Sequence, residues 1–312
     1  MCDKQVVLVE SGQLISEPDV KSLISALFEN LDISPSSRYD YEQRTPLFLS
    51  FIRKSGLTRN CYLDYKRYLA SRVDYCVSTK VKYLTVAKVI LKELNRQGYL
   101  PTDITSTIKG FQQSRKHKKD GINDEEMARL MTNIKALPEH TPETTKLKAI
   151  LSLLIFQGLR GVEVSRLDVS HLDLVAGTAM VLGKGRDDLE LIDLHPETTK
   201  ALANYLRSSG VRSGALFISH SNNSRNQRLS TRSIRVLIKS LLTRLEINRT
   251  VHGFRHYFVT TLIKTYHGDL LEVAGYTRHK SLEMLQVYND KVKKKADLPR
   301  YYAAFSEVGF SG

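Results

Sequence analysis

Arg160 stands in the run Gly158-Leu159-Arg160-Gly161-Val162-Glu163, and a second arginine closes His252-Gly253-Phe254-Arg255, followed directly by His256. Thirty-three residues beyond Arg255 comes Tyr288, nine positions after His279. Two guanidinium groups can grip both non-bridging oxygens of a phosphodiester, because each presents a planar fork of donors. Histidines hold or move protons, and a phenol can attack phosphorus as a nucleophile. The arginines would stabilise the charge that builds on the phosphoryl oxygens during that attack. The ordered series Arg, His-x-x-Arg, His, Tyr therefore points to strand transfer on DNA through a covalent bond, with no metal required.

Each piece has a plainer explanation when taken alone. A His-x-x-Arg match arises by chance in a chain rich in both residues, and a tyrosine late in a helix is most often a packing residue. Arg160 pairs equally well with Glu163 one turn on, and Lys184 in Gly183-Lys184-Gly185-Arg186 is then a solvent-exposed turn lysine. Those explanations leave the order of the whole series unaccounted for.

Composition narrows the partner. The 312 residues suffice for two ordinary domains, and 41% of them are hydrophobic, enough to build two cores. A formal net charge of +14 suits a protein that neutralises many phosphates better than an enzyme of small anionic metabolites. The chain has no run of about eighteen apolar residues, and Met1-Cys2-Asp3-Lys4-Gln5 lacks the start of a secretion signal. A soluble, cytoplasmic, nucleoid-associated protein is expected. Cys2, Cys61 and Cys76 are too few and too scattered for a disulfide framework or a cysteine-rich zinc site. With no Gly-x-x-x-x-Gly-Lys-Ser/Thr loop and no acidic metal motif, the sequence predicts no cofactor, no metal and no use of ATP.

The elements that must position the series divide near residue 115. Residues 1–113 read as a helical domain, 114–121 as a basic linker, and 122–312 as a mixed domain. Helices are predicted from Asp19 to Phe28, after Pro35-Ser36-Ser37, from about Asn60 to Val73, and from Ser78 to Gln97. Pro46 should kink the second or mark its true start. In the fourth, Ser78 is the expected cap, Val81, Leu84, Thr85, Ala87, Lys88, Leu91 and Leu94 form the stripe, and Gly98 ends it. Lys80 and Lys88 on this helix, and Arg115, Lys116, Lys118 and Lys119 in the linker, are the candidate DNA-backbone contacts; the plain alternative is a solvated charge run.

Beyond the linker, Asn123-Asp124-Glu125-Glu126 opens a helix with a capping residue and acids in its first turn. Helices are predicted over Lys146 to Gln157, from Glu163, and over about 196–208, 230–246, 253–266, 268–274 and 281–290, with a short one near the C-terminus. Thr178 to Leu182 and Leu189 to Leu194 should pair as a hairpin with Lys184 at its tip. His252 and Arg255 fall near a helix start, where backbone N–H groups favour an anion.

Taken together, the motifs resemble those of the tyrosine recombinases of the phage-integrase, Xer and Cre type. The resemblance rests on Gly158 to Leu167, Lys184, His252-Gly253-Phe254-Arg255-His256, His279 and Tyr288. It implies a mainly α, two-domain protein: a SAM-like helical core-binding domain and an α+β catalytic domain with a small β-hairpin or sheet. It also implies that Arg160 and Arg255 clamp the scissile phosphate while Tyr288 attacks to give a 3′-phosphotyrosyl link. Lys184 would protonate the leaving 5′-oxygen, His252 would exchange the tyrosine proton, His279 would bond the phosphate, and Glu163 would support the site. The family usually has glycine directly before that histidine, whereas here Gly275 is followed by Tyr276-Thr277-Arg278; the nine-residue spacing selects His279. Tyr266, Tyr276, Tyr301 and Tyr302 are taken as packing residues.

The implied partners are duplex DNA with paired sites and further copies of the chain, a homo-tetramer held through a tail whose apolar anchors would be Leu298, Tyr302 and Phe305. Accessory proteins are possible partners and no membrane is expected. The expected task is integration or excision of a mobile element, or resolution of replicon dimers, through a Holliday junction. The alternatives are a type IB topoisomerase that relaxes DNA as a monomer, and a non-catalytic DNA-binding accessory protein.

Overall fold

The structure, a computed structural model, describes residues 7–8, 14–15, 27–113, 121–138, 141–183, 185–219, 226–279 and 281–304. Their contacts separate into two compact units, residues 1–114 and 115–312.

In the N-terminal unit, strand β1 (Val7–Leu8) pairs antiparallel with β2 (Leu14–Ile15). Most of the helix expected over 19–28 lies outside the described residues, but its last two positions, Leu27 and Phe28, are buried in the core. Pro46 proves to mark a start: α1 (Pro35–Glu42) ends before it, and α2 (Thr45–Ser55) carries it in the first turn, where a missing N–H costs nothing. α3 (Cys61–Ser71) and α4 (Val77–Arg96) complete the set. The expected cap of α4 is displaced: Cys76 holds the cap position, and Ser78 lies inside the first turn with its Oγ 3.1 Å from Cys76 Sγ. Its buried stripe is Leu84, Val86, Ala87, Ile90, Leu91 and Leu94. Thr85 is exposed and Val81 and Lys88 are only half-buried, because α2 and α3 both pack on α4 and widen and turn the face that must be apolar.

In the C-terminal unit, Asn123 Oδ1 accepts from Glu126 N at 2.7 Å and Glu126 Oε2 accepts from Asn123 N at 2.9 Å, a reciprocal cap on α5 (Asp124–Lys135). α6 (Pro142–Phe156) starts four residues earlier than its apolar run, since Thr141 caps it and Pro142 occupies its first position. It is buried on nearly every side and forms the centre of the main core. After α7 (Gly161–Arg166) and a 3-10 turn (Val169–His171) comes the sheet. β4 (Thr178–Leu182) and β5 (Leu189–Asp193) pair as the predicted hairpin, Thr178 opposite Asp193 and Leu182 opposite Leu189. A two-residue strand, β3 (Leu172–Asp173), adds to the other edge of β4 and was too short to announce itself.

Five helices follow: α8 (Pro196–Ser209), α9 (Thr231–Arg244), α10 (Val251–Thr265), α11 (Leu270–Thr277) and α12 (Leu282–Ala303). α12 corrects the expectation of a stop at 290 and a separate short helix. Residues 290–298 contain no glycine, and Pro299 sits within the helix without ending it. The packing role assigned to Tyr276, Tyr301 and Tyr302 also fails, for all three are at least half exposed. Tyr276 instead lies against Tyr266, with ring centroids 5.7 Å apart. A small second core of Val259, Ile263, Val273, Leu285 and Tyr288 binds α10, α11 and α12 together.

Candidate active site

The first arginine is built by a helix start. Gly158 ends α6 with φ +57°, and a Cβ there would lie 2.3 Å from the Phe258 ring, so only glycine fits both the backbone and the space. Arg160 follows in extended conformation as the residue before α7. Glu163, one turn on, reaches back: its Oε2 accepts from the Arg160 backbone N at 2.8 Å and its Oε1 from Arg160 Nη1 at 2.9 Å. The Arg160–Glu163 pair is therefore real, and it does not compete with a functional role: Glu163 is fully buried while 29% of the Arg160 side chain stays exposed. The carboxylate holds the guanidinium at the surface of the site.

The second arginine comes from α10. This helix begins at Val251, two residues earlier than expected, so His252 is exposed in its first turn and Arg255 is carried inward. Arg255 is 1% exposed; its Nη1 donates to the Gly158 carbonyl at 2.7 Å and its Nη2 to the Thr277 carbonyl at 2.6 Å. Burial, and then the Arg160 charge, lower its pKa to about 10, with Glu163 opposing and Arg278 adding to the repulsion. It is still a cation at neutral pH, in a place where a further anion would be welcome.

α11 and α12 bring the other members. The Thr277 Oγ1 lies 2.7 Å from His279 Nδ1. Tyr288 is 3% exposed, with the His256 ring centroid at 5.1 Å and that of His279 at 6.3 Å. Burial raises the Tyr288 pKa, while the charges of Arg255 and then Arg160 pull it back. The phenol thus feels both arginines that sequence reasoning paired with it. His252 meets His256 edge-on at 4.6 Å, so His256 stands between His252 and Tyr288.

Arg160, Glu163, Arg255, His279 and Tyr288 converge, with His252 reaching the group through His256. Lys184 lies outside the described residues, as do Arg115, Lys116, Lys118, Lys119 and Phe305. In the N-terminal unit, Lys80 Nζ donates to the Ala70 carbonyl at 2.8 Å, near the end of α3, and Lys88 is half-buried on α4.

Four participants were missed. Arg278 is buried and its Nη2 donates to Glu163 Oε2 at 2.9 Å. Thr277 serves through its carbonyl and its hydroxyl. His256 belongs to the His252–His256 motif, and its place beside Tyr288 shows only in the structure. Gly121, read as the end of the linker, belongs against α10: a Cβ there would lie 2.7 Å from His256 Cβ. The extra arginine before His279 was the visible signal for Arg278.

The arrangement gathers Arg160, Arg255 and Arg278 around one buried carboxylate, beside a phenol. Opposing the burial that raises it, the Arg278 charge and the bonds from Arg160 and Arg278 lower the Glu163 pKa, so the carboxylate is ionised. Three cations against one anion leave an electrostatic deficit that an oxyanion can fill.

Comparison with known proteins places the chain in a family. A model of the phage integrase family matches residues 121–295, more than half of the 312 residues. Tyrosine recombinase XerC of Pseudomonas entomophila (strain L48) is 34% identical over 146 residues, which cover 45% of this chain and 46% of that protein. The match thus spans about half the length of that relative. Tyrosine recombinase XerD of Staphylococcus epidermidis (strain ATCC 12228 / FDA PCI 1200) is 25% identical over 292 residues, 83% of this chain and 96% of the relative. Among solved structures, the XerH site-specific recombinase bound to palindromic difH substrate, a post-cleavage complex, has a TM-score of 0.72 over 93% of this chain and 85% of that one. At 17% identity this is a likeness of fold. The chain belongs to the phage integrase family of tyrosine recombinases.

Proposed function

We propose that this protein is a site-specific DNA recombinase that cuts and rejoins duplex DNA through a 3′-phosphotyrosyl intermediate. The observation that carries the proposal is the buried deficit of negative charge next to Tyr288, where Arg160 and Arg255 both act on the phenol. The Tyr288 oxygen attacks phosphorus, the bond to the 5′-oxygen breaks, and the arginines hold the two non-bridging oxygens throughout. Lys184 supplies the proton to the departing 5′-oxygen. The phenol's proton passes toward His252, with His256 on the way. When the Thr277 hydroxyl donates to His279 Nδ1, the Nε2 of His279 keeps its proton and donates it to a phosphate oxygen. The phosphotyrosyl bond stores the energy of the diester, so a 5′-hydroxyl from another strand reverses the step without ATP.

Duplex DNA with paired sites is the substrate, and the work is done in the cytoplasm by four copies that pass through a Holliday junction. Lys80, Lys88 and the basic stretch of Arg115, Lys116, Lys118 and Lys119 neutralise backbone phosphates. The exposed end of α12, with Tyr302 exposed and Leu298 half-buried, supports a tail that docks on another copy, Phe305 completing its anchors. Relatives named as recombinases favour exchange over simple relaxation of supercoils.

The test is covalent trapping on a pool of nicked duplexes, with denaturant-resistant adducts isolated and sequenced. Adducts are expected from the native chain and none from Tyr288→Phe, whose duplex binding should persist. Salt-sensitive binding without any adduct would replace this function with an accessory one.

A further inference from the structure

The turn that closes α11 bonds three members of the site through two successive residues, Thr277 and Arg278. The Thr277 carbonyl anchors Arg255 Nη2, and the Thr277 hydroxyl meets His279. Between them, Arg278 takes φ +56°, a left-handed conformation disfavoured for any residue with a Cβ. Its side chain is only 4% exposed and points to a carboxylate 115 positions earlier in the chain. Disfavoured backbone and a buried charge on one residue call for something that holds both in place, and Glu163 does so. One Glu163 oxygen is shared between Arg278 Nη2 and the Arg160 backbone N, and the other takes Arg160 Nη1. Without Arg278, that shared oxygen keeps only a backbone partner, and the carboxylate loses the cation that fixes its plane from the far side.

We infer that Arg278 is a positioning residue that sets the orientation of Arg160 through Glu163, an inference that rests on the strand-cleavage function proposed above. Its guanidinium is bonded to the Glu163 carboxylate. It acts by making the buried carboxylate a rigid, ionised support, with the result that the Arg160 fork is aimed before DNA arrives. The charged groups facing Glu163 are Arg160 just before its helix, Arg278 at the end of α11 and Arg255 on α10. Removing Arg278 leaves two of these three, so the carboxyl protonates at a higher pH than before.

Arg278→Gly isolates the effect, because glycine suits φ +56° and relieves the backbone while deleting the guanidinium. Covalent-adduct formation at saturating duplex should slow about ten- to a hundredfold, with duplex affinity nearly unchanged. The acid limb of the rate against pH should move upward. Arg278→Lys, which keeps the charge and loses the fork, should recover part of the rate. An Arg278→Gly chain that forms adducts at the native rate with the native acid limb overturns the inference and leaves the strand-cleavage function standing. So does a loss fully accounted for by a smaller folded fraction or weaker duplex binding. Failure of the native chain itself to form adducts overturns both.

Discussion

Among the described residues, each unit of this protein buries one glutamate, and the two are built differently. Glu93 in the N-terminal unit is 5% exposed and bonds Arg96 and Gln97 within its own helix; the Arg96 side chain is 64% exposed. Glu163 in the C-terminal unit is fully buried and bonds a neighbour on its own helix and an arginine that is itself buried. Both carboxyls have pKa values below the ordinary 4.5, for different reasons. For Glu93 the Arg96 bond is the largest influence, and for Glu163 the largest is the burial that several partners must overcome. A helix can place an i,i+3 pair at its surface at almost no cost. Burying a carboxylate between two buried arginines and a third that is partly exposed is costly, and apolar residues would stabilise the fold as well. The core of the N-terminal unit is aromatic and aliphatic and needs no such device. The difference teaches that the buried charge in the C-terminal unit is of little use to folding and lies where the proposed chemistry would use it.

Replacing each glutamate by glutamine gives the largest contrast. Glu163→Gln should cost about 3 kcal/mol, the scale for removing one partner of a buried ion pair. Glu93→Gln should cost about 0.5 kcal/mol, the scale for a pair with one member in solvent. Thermal or denaturant unfolding followed separately in the two units measures both. Since the Glu163 pKa is lowered on folding, its contribution is fully present above about pH 4.5 and is lost as pH falls through the lower folded value. The gap between the native chain and Glu163→Gln should therefore be widest near neutrality and narrow below about pH 4.5. Equal costs for the two substitutions would sink the comparison. Adduct formation should fall with Glu163→Gln and not with Glu93→Gln.

What could be read from the sequence follows the same division. Local rules hold wherever the partner is a few residues away: the Asn123–Glu126 cap, the 178–193 hairpin, Pro46 as a helix start and Gly98 as a stop. Arg160, Arg255 and Tyr288 could be proposed from the sequence because their types and order suit the chemistry, and the structure brings the three together. Arg278 was visible only as an oddity before His279, since its meaning depends on Glu163, 115 positions away. Thr277 and Gly158 anchor Arg255 by backbone carbonyls, which every residue possesses and no side-chain pattern reveals. On α4, Leu84, Ala87, Leu91 and Leu94 are buried as expected, while Val81, Thr85 and Lys88 were misplaced because two packed helices, not the period of one, decide which side is inside. The length of α12 was missed because a proline after a long run of helix formers looked like a boundary.

Two glycines sharpen the contrast at smaller amplitude. Gly158 and Gly98 both have positive φ, +57° and +81°, and both end a helix. Around Gly98 nothing lies within 4 Å of the position of a Cβ, whereas at Gly158 a Cβ would overlap the Phe258 ring at 2.3 Å. Gly98→Ala should therefore cost about 1 kcal/mol, from the backbone alone. Gly158→Ala adds overpacking, for a total of about 3 kcal/mol. It should also slow adduct formation, because the Gly158 carbonyl that anchors Arg255 must move with the strained turn. A Gly158→Ala chain as stable and as active as Gly98→Ala would mean that the Phe258 ring steps aside freely.

The smallest effect is expected at Tyr65, and with the opposite sign. Tyr65 is fully buried on α3, its ring centroid 4.9 Å from Phe48 and 5.1 Å from Phe51. Burial drives its phenol pKa upward, and its hydroxyl has no hydrogen-bond partner among the described residues. The N-terminal unit thus carries an unsatisfied polar atom where an apolar core would serve. Tyr65→Phe removes that atom and keeps the ring contacts, so it should raise stability by about 1 kcal/mol and leave adduct formation untouched. Tyr288, likewise buried and likewise a phenol, should differ when changed to Phe: adduct formation should vanish, because its hydroxyl, the proposed nucleophile, faces two arginines. A loss of stability in Tyr65→Phe would show that its hydroxyl is hydrogen-bonded after all. The N-terminal core would then contain a polar device of its own, and the division between a unit built for packing and a unit built for chemistry would need redrawing at that residue.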